Sequence, residues 1–191
     1  MQNKTIWIAS ALLLLMAMTR YNHFGSAMTL PDASYAVFFL GGLFLGRARG
    51  ALVILASLMI AAALIDYYAI NFREVSSYCV TSAYSFLVLD YGALWFVGRW
   101  YAPRYALTLK GMAGLLLAGA AAGGAAFIIA NVSFYLLAGY FESMSVIQYV
   151  SSVAQYFGPY VAVAVFYIGS AAGVQMLFAL LGGKTRQADA R

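Results

Sequence analysis

The sequence predicts an all-α integral membrane protein of six transmembrane helices, on three observations. The chain of 191 residues is 64% hydrophobic and only 9% charged, where a soluble domain carries about 25% charged residues. Its charges are confined largely to the gaps between long apolar runs. Lys and Arg fall mostly on one side of those runs. So few charges cannot cover a water-facing surface of this size, which makes lipid the solvent.

The spans follow in order. The first is 5–19. The opening MQNKTIWIASALLLLMAM has the charge and apolar run of a secretory leader, but no convincing small-x-small cleavage site follows, so it is read as a retained span. The second, 33–46, carries AVFFLGGLFLG. Both are shorter than the usual ~20 residues, and local thinning with snorkelling flanks such as Arg47 accommodates them. The third, 51–70, contains Asp66, and the fourth, 78–97, contains Asp90. The fifth is 111–139 and the sixth 159–181. With no repeat, low-complexity segment or separate soluble part, 1–191 reads as a single transmembrane domain.

Six spans put Lys4, Arg47, Arg49, Arg99, Arg104, Lys110, Lys184, Arg186 and Arg191 on one side, and Arg20 and Arg73 on the other. That bias places both termini in the cytoplasm. It survives if the second segment fails to cross, because Lys4 and Arg20 then trade sides. The outer loops are 20–32, 71–77 and about 140–158. They hold the sole histidine and many aromatics, while the inner connections GRARG and GRWYAPRYALTLK are short and basic. The net charge of +5 reflects this topology and not a nucleic-acid partner. Gly42/Gly46 and Gly119/Gly123 form GxxxG pairs, read as close helix packing or as a face for another membrane protein.

The single cysteine, Cys79, excludes an internal disulfide framework and a CxxC site. It is placed in the first turn of the fourth span, capped by Ser76 or Ser77. There the helix N-terminus and nearby Arg73 favour thiolate, a soft metal ligand. The bland alternative is a small buried hydrophobe. Helical spacing puts Cys79, Ser82, Ala83, Phe86 and Asp90 on one stripe. Asp66, followed by Tyr67 and Tyr68, lies near the outer end of the third span. It is either functional or a carboxylate held by tyrosine hydroxyls. For Asp90 the two readings stand level. His23 is a ligand contact, a pH-sensitive group or a solvated loop residue. The tyrosines suit an interfacial belt or the walls of a large flat ligand. GxSxG, HExxH and a Walker loop are missing.

Two stretches, "RYNHFG…LPDASYAVFFLGG" and "SSYCVTSAY", resemble the solitary S-components that take up cobalamin, relatives of the substrate-binding subunits of energy-coupling-factor vitamin transporters. The likeness spans nearly the whole chain and is most specific over 20–42 and 66–84. It implies an S-component-like bundle in the bacterial inner membrane with a pocket open to the periplasm. It implies a substrate, cobalamin or cobinamide, whose cobalt is ligated by Cys79, with displacement of an axial cyanide. His23, Asp66, Tyr67, Tyr84, Arg73 and Tyr21 are then expected around the corrin, and no other protein-bound metal is expected. The first helix lacks the Ala-x-x-x-Ala spacing with which such subunits commonly dock an energising module. An S-component for another vitamin, a thiol enzyme using Cys79 and His23, and a packing subunit without a ligand remain alternatives.

Overall fold

The computed structural model describes residues 2–20 and 30–188. Regular structure among them is entirely helical: α1 Gln2–Thr19, α2 Ser34–Leu45, α3 Ala51–Phe72, α4 Leu87–Tyr101, α5 Leu109–Leu137 and α6 Val146–Ala188. Two 3-10 turns, Ser82–Phe86 and Ala102–Arg104, flank α4.

Three stretches are long and apolar enough to cross a membrane, Ala51–Phe72, Leu109–Leu137 and Val146–Leu181, while Asn3–Thr19 and Ser34–Leu45 are shorter apolar helices. The interior is largely apolar, but the exterior is apolar too, unlike that of a water-soluble protein. Arg20, Asp66 and Asp90 are buried, while Trp7, Leu14, Leu52, Val53, Ile60 and Leu64 are all exposed. Such an apolar exterior, with three helices long and apolar enough to cross a membrane, suits an outer surface that meets lipid.

The 12 residues of α2 reach about 18 Å at ~1.5 Å per residue, short of the ~30 Å hydrocarbon layer. This helix is nonetheless the centre of the bundle. All its residues except Tyr35 and Phe44 are buried, enclosed by contacts to every other helix. A helix lined by protein on all sides need not match the bilayer itself.

Glycines set the closest approach. A Cβ on Gly42 would strike the Trp95 carbonyl oxygen, one on Gly98 the Phe39 carbonyl oxygen, and one on Gly41 would lie 2.6 Å from the Trp95 ring. Only residues without side chains let α2 and α4 meet this tightly. Between α5 and α6, Gly119 faces Ile168 and Gly123 faces Ala164, with Ala122 and Ala126 buried beside them. Both GxxxG pairs include glycines that pack inside the bundle.

Two helix starts differ from the sequence expectation. The fourth helix begins not at Tyr78 but at the turn Ser82–Phe86, where Thr81 Oγ1 accepts the Ala83 N–H at 3.2 Å. The sixth begins at Val146 and runs unbroken through Pro159. A proline is at home in a first turn, but here residues 146–158 are already helical because Ser145 and Gln148 form a capping box. Gln148 Oε1 accepts the Ser145 N–H at 2.9 Å, and Ser145 Oγ accepts the Gln148 N–H at 3.3 Å. Ser151 and Ser152 hydroxyls then donate back to the Ile147 and Tyr149 carbonyls at 2.8 and 2.7 Å. About two thirds of the expected third outer loop, residues 146–158, is therefore helix.

Candidate functional site

The chemically varied residues gather at one end of the bundle, where α1 and α3 finish and α2, α4 and α6 begin. At its centre is Arg20, the residue after α1, with its side chain only 3% exposed. Its Nε and Nη2 donate to the two oxygens of Asp66 at 2.7 and 2.6 Å, and Nη1 donates to Ser34 Oγ at 2.8 Å and to the Tyr91 hydroxyl at 2.6 Å. This is a bidentate guanidinium–carboxylate pair, the strongest planar ion pair available to side chains. The Tyr84 hydroxyl donates to Asp66 Oδ2 at 2.7 Å. Asp32 lies 3.8 Å from Arg20 Nη1 and accepts from the Ser34 N–H and hydroxyl at 2.8 and 2.6 Å. Its charge at the α2 N-terminus complements the helix dipole. Tyr91 is fixed in turn by stacking on Phe38, 4.0 Å between centroids at 7°. Side chains from α2, α3 and α4 thus converge on one guanidinium at the end of α1.

The sequence reads Arg20 as a loop cation on the outer side, and the structure corrects this: it is a buried counter-ion. A signal for it is present in the sequence. An aspartate inside an apolar span needs a cation, and the outer side holds only Arg20 and Arg73. With Arg20 removed from the loop tally, Arg73 is the one remaining outer cation of the pair. It is exposed where α3 ends, its N–H bonded to the Ala69 carbonyl at 3.0 Å.

Cys79 is exposed and lies ahead of the helix, in a tight turn closed by the Val80 N–H to the Ser77 carbonyl at 2.8 Å. It is therefore not in a first helical turn, and the stripe expected from Cys79 through Asp90 is broken at its upper end. Ser76 caps its own turn, accepting the Tyr78 N–H at 3.2 Å, while Thr81 caps the helical turn. The thiol is also not activated as expected. The protein mass around it and the Asp66 carboxylate push its pKa up, so the resting group is the thiol.

The loop that carries Cys79 is held from the far side. Tyr78 stacks on Tyr140, 4.7 Å apart at 9°, and meets Phe134 edge-on at 5.6 Å. Phe134, Tyr135, Phe141 and Tyr149 continue this aromatic wall. Tyr135 donates to the Met144 carbonyl at 2.8 Å, and Tyr149 to Asn131 Oδ1 at 3.2 Å. Tyr149 and Tyr160 both lie within electrostatic reach of Cys79. The sequence marks the aromatic density of this region without singling out these residues. Which rings face the cysteine depends on contacts between distant segments.

Of the site residues expected from the sequence, Asp66 and Tyr84 are hydrogen-bonded, and Asp66 acts electrostatically on Cys79. Tyr67 is on the exposed face of α3, outside this cluster. Tyr21 and His23 lie outside the described residues. Among the described residues no group of three His, Cys, Asp or Glu side chains could hold a metal ion. A cleft of about 380 Å³ lined by Phe86, Leu89, Ile128 and Val132 lies between α4 and α5. It carries almost no polar surface and is separate from this chemistry. Comparison of the chain with protein-family models and with curated proteins finds no match.

Proposed function

We propose that this protein is a cobalamin-binding and uptake protein, a multi-pass protein of the bacterial inner membrane with both termini in the cytoplasm and its site facing the periplasm. On this reading α4 crosses together with the 3-10 turn before it, and α2 crosses inside the bundle. The observation that carries the proposal is an exposed thiol on a fixed turn between an aromatic wall and a carboxylate–tyrosine pair. A corrin brings four equatorial nitrogens to its cobalt and leaves axial positions open to exchange. One sulfur is then enough to complete the metal's coordination. The rings offer apolar walls, and the tyrosine hydroxyls and backbone amides match the amide fringe.

The chemistry is ligand exchange without change of oxidation state. The Cys79 sulfur forms a bond to Co(III), the cobalt–cyanide bond breaks, and the thiol proton leaves with cyanide as hydrogen cyanide. Soft thiolate competes well at such a site. Movement across the membrane is either facilitated or driven by a separate energising module, which would dock on a surface other than an Ala-x-x-x-Ala stripe in α1. The test is uptake of labelled cobalamin by cells that lack every other inner-membrane route for it. Expression of this chain should restore uptake, and Cys79→Ala should lower it. No uptake by the wild-type chain, together with labelling of Cys79 by an electrophilic substrate analogue, would favour a thiol enzyme instead.

A further inference from the structure

Asp90 takes no part in the cluster around Arg20, and its surroundings assign it a separate role. It sits one turn into α4, is 1% exposed, and neither carboxyl oxygen has a hydrogen-bond partner among the described residues. The groups facing it are few. Tyr35 of α2 is near enough to feel its charge, and Tyr160 of α6 packs against Tyr35 with centroids 6.0 Å apart. On α5 the only titratable side chains are Lys110 and Tyr135, near its opposite ends. On α3 the acid is Asp66, paired with Arg20 and bonded by Tyr84. The adjacent Tyr91 faces Arg20. No cation among the described residues is hydrogen-bonded or ion-paired to this carboxylate. Glycines at 42 and 98 press α2 against α4 at Trp95 and Gly98, about 7–12 Å farther along α4 at ~1.5 Å per residue, so α4 cannot shift to find a partner without breaking this close contact.

An ionised carboxyl with no partner in such an interior is prohibitively unfavourable, and the group neutralises itself instead. We propose that Asp90 is a proton-binding site inside the bundle, occupied at neutral pH and sealed by the packing of α2 on α4. Ionisation then requires that packing to open and admit water. Proton occupancy and the closed arrangement of α4 are therefore linked, each favouring the other. The reaction is a simple one: the O–H bond of Asp90 breaks, and the proton passes to water admitted on opening. This inference is independent of what binds at Cys79.

The test uses the full chain in lipid nanodiscs. Infrared difference spectra between wild type and Asp90→Asn at neutral pH should show the C=O stretch of a protonated carboxylic acid, lost in the variant and shifted down in heavy water after prolonged exchange. Asp90→Asn, an isosteric neutral group, should leave the thermal midpoint nearly unchanged. Gly42→Ala, which wedges α2 from α4, should make the acid band disappear at a lower pH than in wild type. Carboxylate bands from Asp90 at neutral pH, in sodium or in potassium buffer, would overturn the proposal. Should Gly42→Ala fail to fold, the spectrum of Asp90→Asn alone still decides.

Discussion

Replacing Asp66 by asparagine keeps the side chain's shape and removes its charge, and the geometry around Arg20 sets what this costs. The guanidinium keeps Ser34 and Tyr91 but loses two bonds of 2.7 and 2.6 Å to a carboxylate. Hydrogen bonds to charged groups contribute about 1.5–3 kcal/mol each. The new amide oxygen recovers one weaker bond, and Asp32 at 3.8 Å still offsets part of the stranded charge. Removing one partner of a buried pair typically costs about 3–5 kcal/mol, so with these compensations Asp66→Asn should cost about 3 kcal/mol. For a chain of this length that lowers the thermal midpoint by about 6–12 °C, read from tryptophan fluorescence in detergent. Arg20→Met strands Asp66 with Tyr84 alone and should cost a similar amount. The decisive variant combines Arg20→Met with Asp66→Leu. Removing both charges leaves neither member of the bidentate pair stranded, and although the Tyr91 and Tyr84 hydroxyls and Asp32 lose a partner, the double variant should be more stable than either single one, with a coupling above about 2 kcal/mol. Single variants within about 0.5 kcal/mol of wild type, or a double variant equal to the sum of the two, would show that this ion pair does not hold the four helices together.

Other predictions follow from individual contacts. Because the resting Cys79 is a thiol with a raised pKa, binding of an aquo-cobalt corrin through sulfur, which displaces water instead of cyanide, releases one proton. Its apparent affinity should rise about tenfold per pH unit while pH stays below the thiol pKa, then level off above it; Cys79→Ala should show no such slope in a binding titration. Gly42→Ala drives a methyl into the Trp95 backbone and should cost about 3 kcal/mol, whereas Gly173→Ala, which meets nothing within 4 Å, should be neutral or stabilising in the same melt. Ser145→Ala removes the capping box of α6 and should cost about 1 kcal/mol, seen as faster hydrogen exchange in the first turn of α6 with little change in the global melt.

Much of the helical order is legible because an apolar run states its own burial or lipid exposure directly. The runs 5–19, 33–46, 51–70 and 111–139 each fall on a helix within a few residues. The errors occur where helix is set by something else. Residues 146–158 are too polar to register as a span and are helical because of one Ser-x-x-Gln cap. The start of α4 is ambiguous among Ser76, Ser77, Thr81 and Ser82, all competent caps. The choice is made by Tyr78 stacking on Tyr140, a contact across many residues of chain. Arg20 shows the same limit in electrostatic form. Beside a loop it reads as a solvated cation, and only its distant partner Asp66 reveals a buried one. Asp66 is legible because an acid in an apolar run flags itself, as Asp90 also does.

A bond between the Cys79 sulfur and cobalt underlies the whole functional reading, and the visible absorption spectrum of cobalamin added to the purified protein reports on that bond itself. The wild-type complex should show corrin bands displaced to those of a cobalt–thiolate, and Cys79→Ser should leave the bands of the free vitamin. Tight binding with an unshifted spectrum, or a shift that survives in Cys79→Ser, would mean that this sulfur does not ligate the metal.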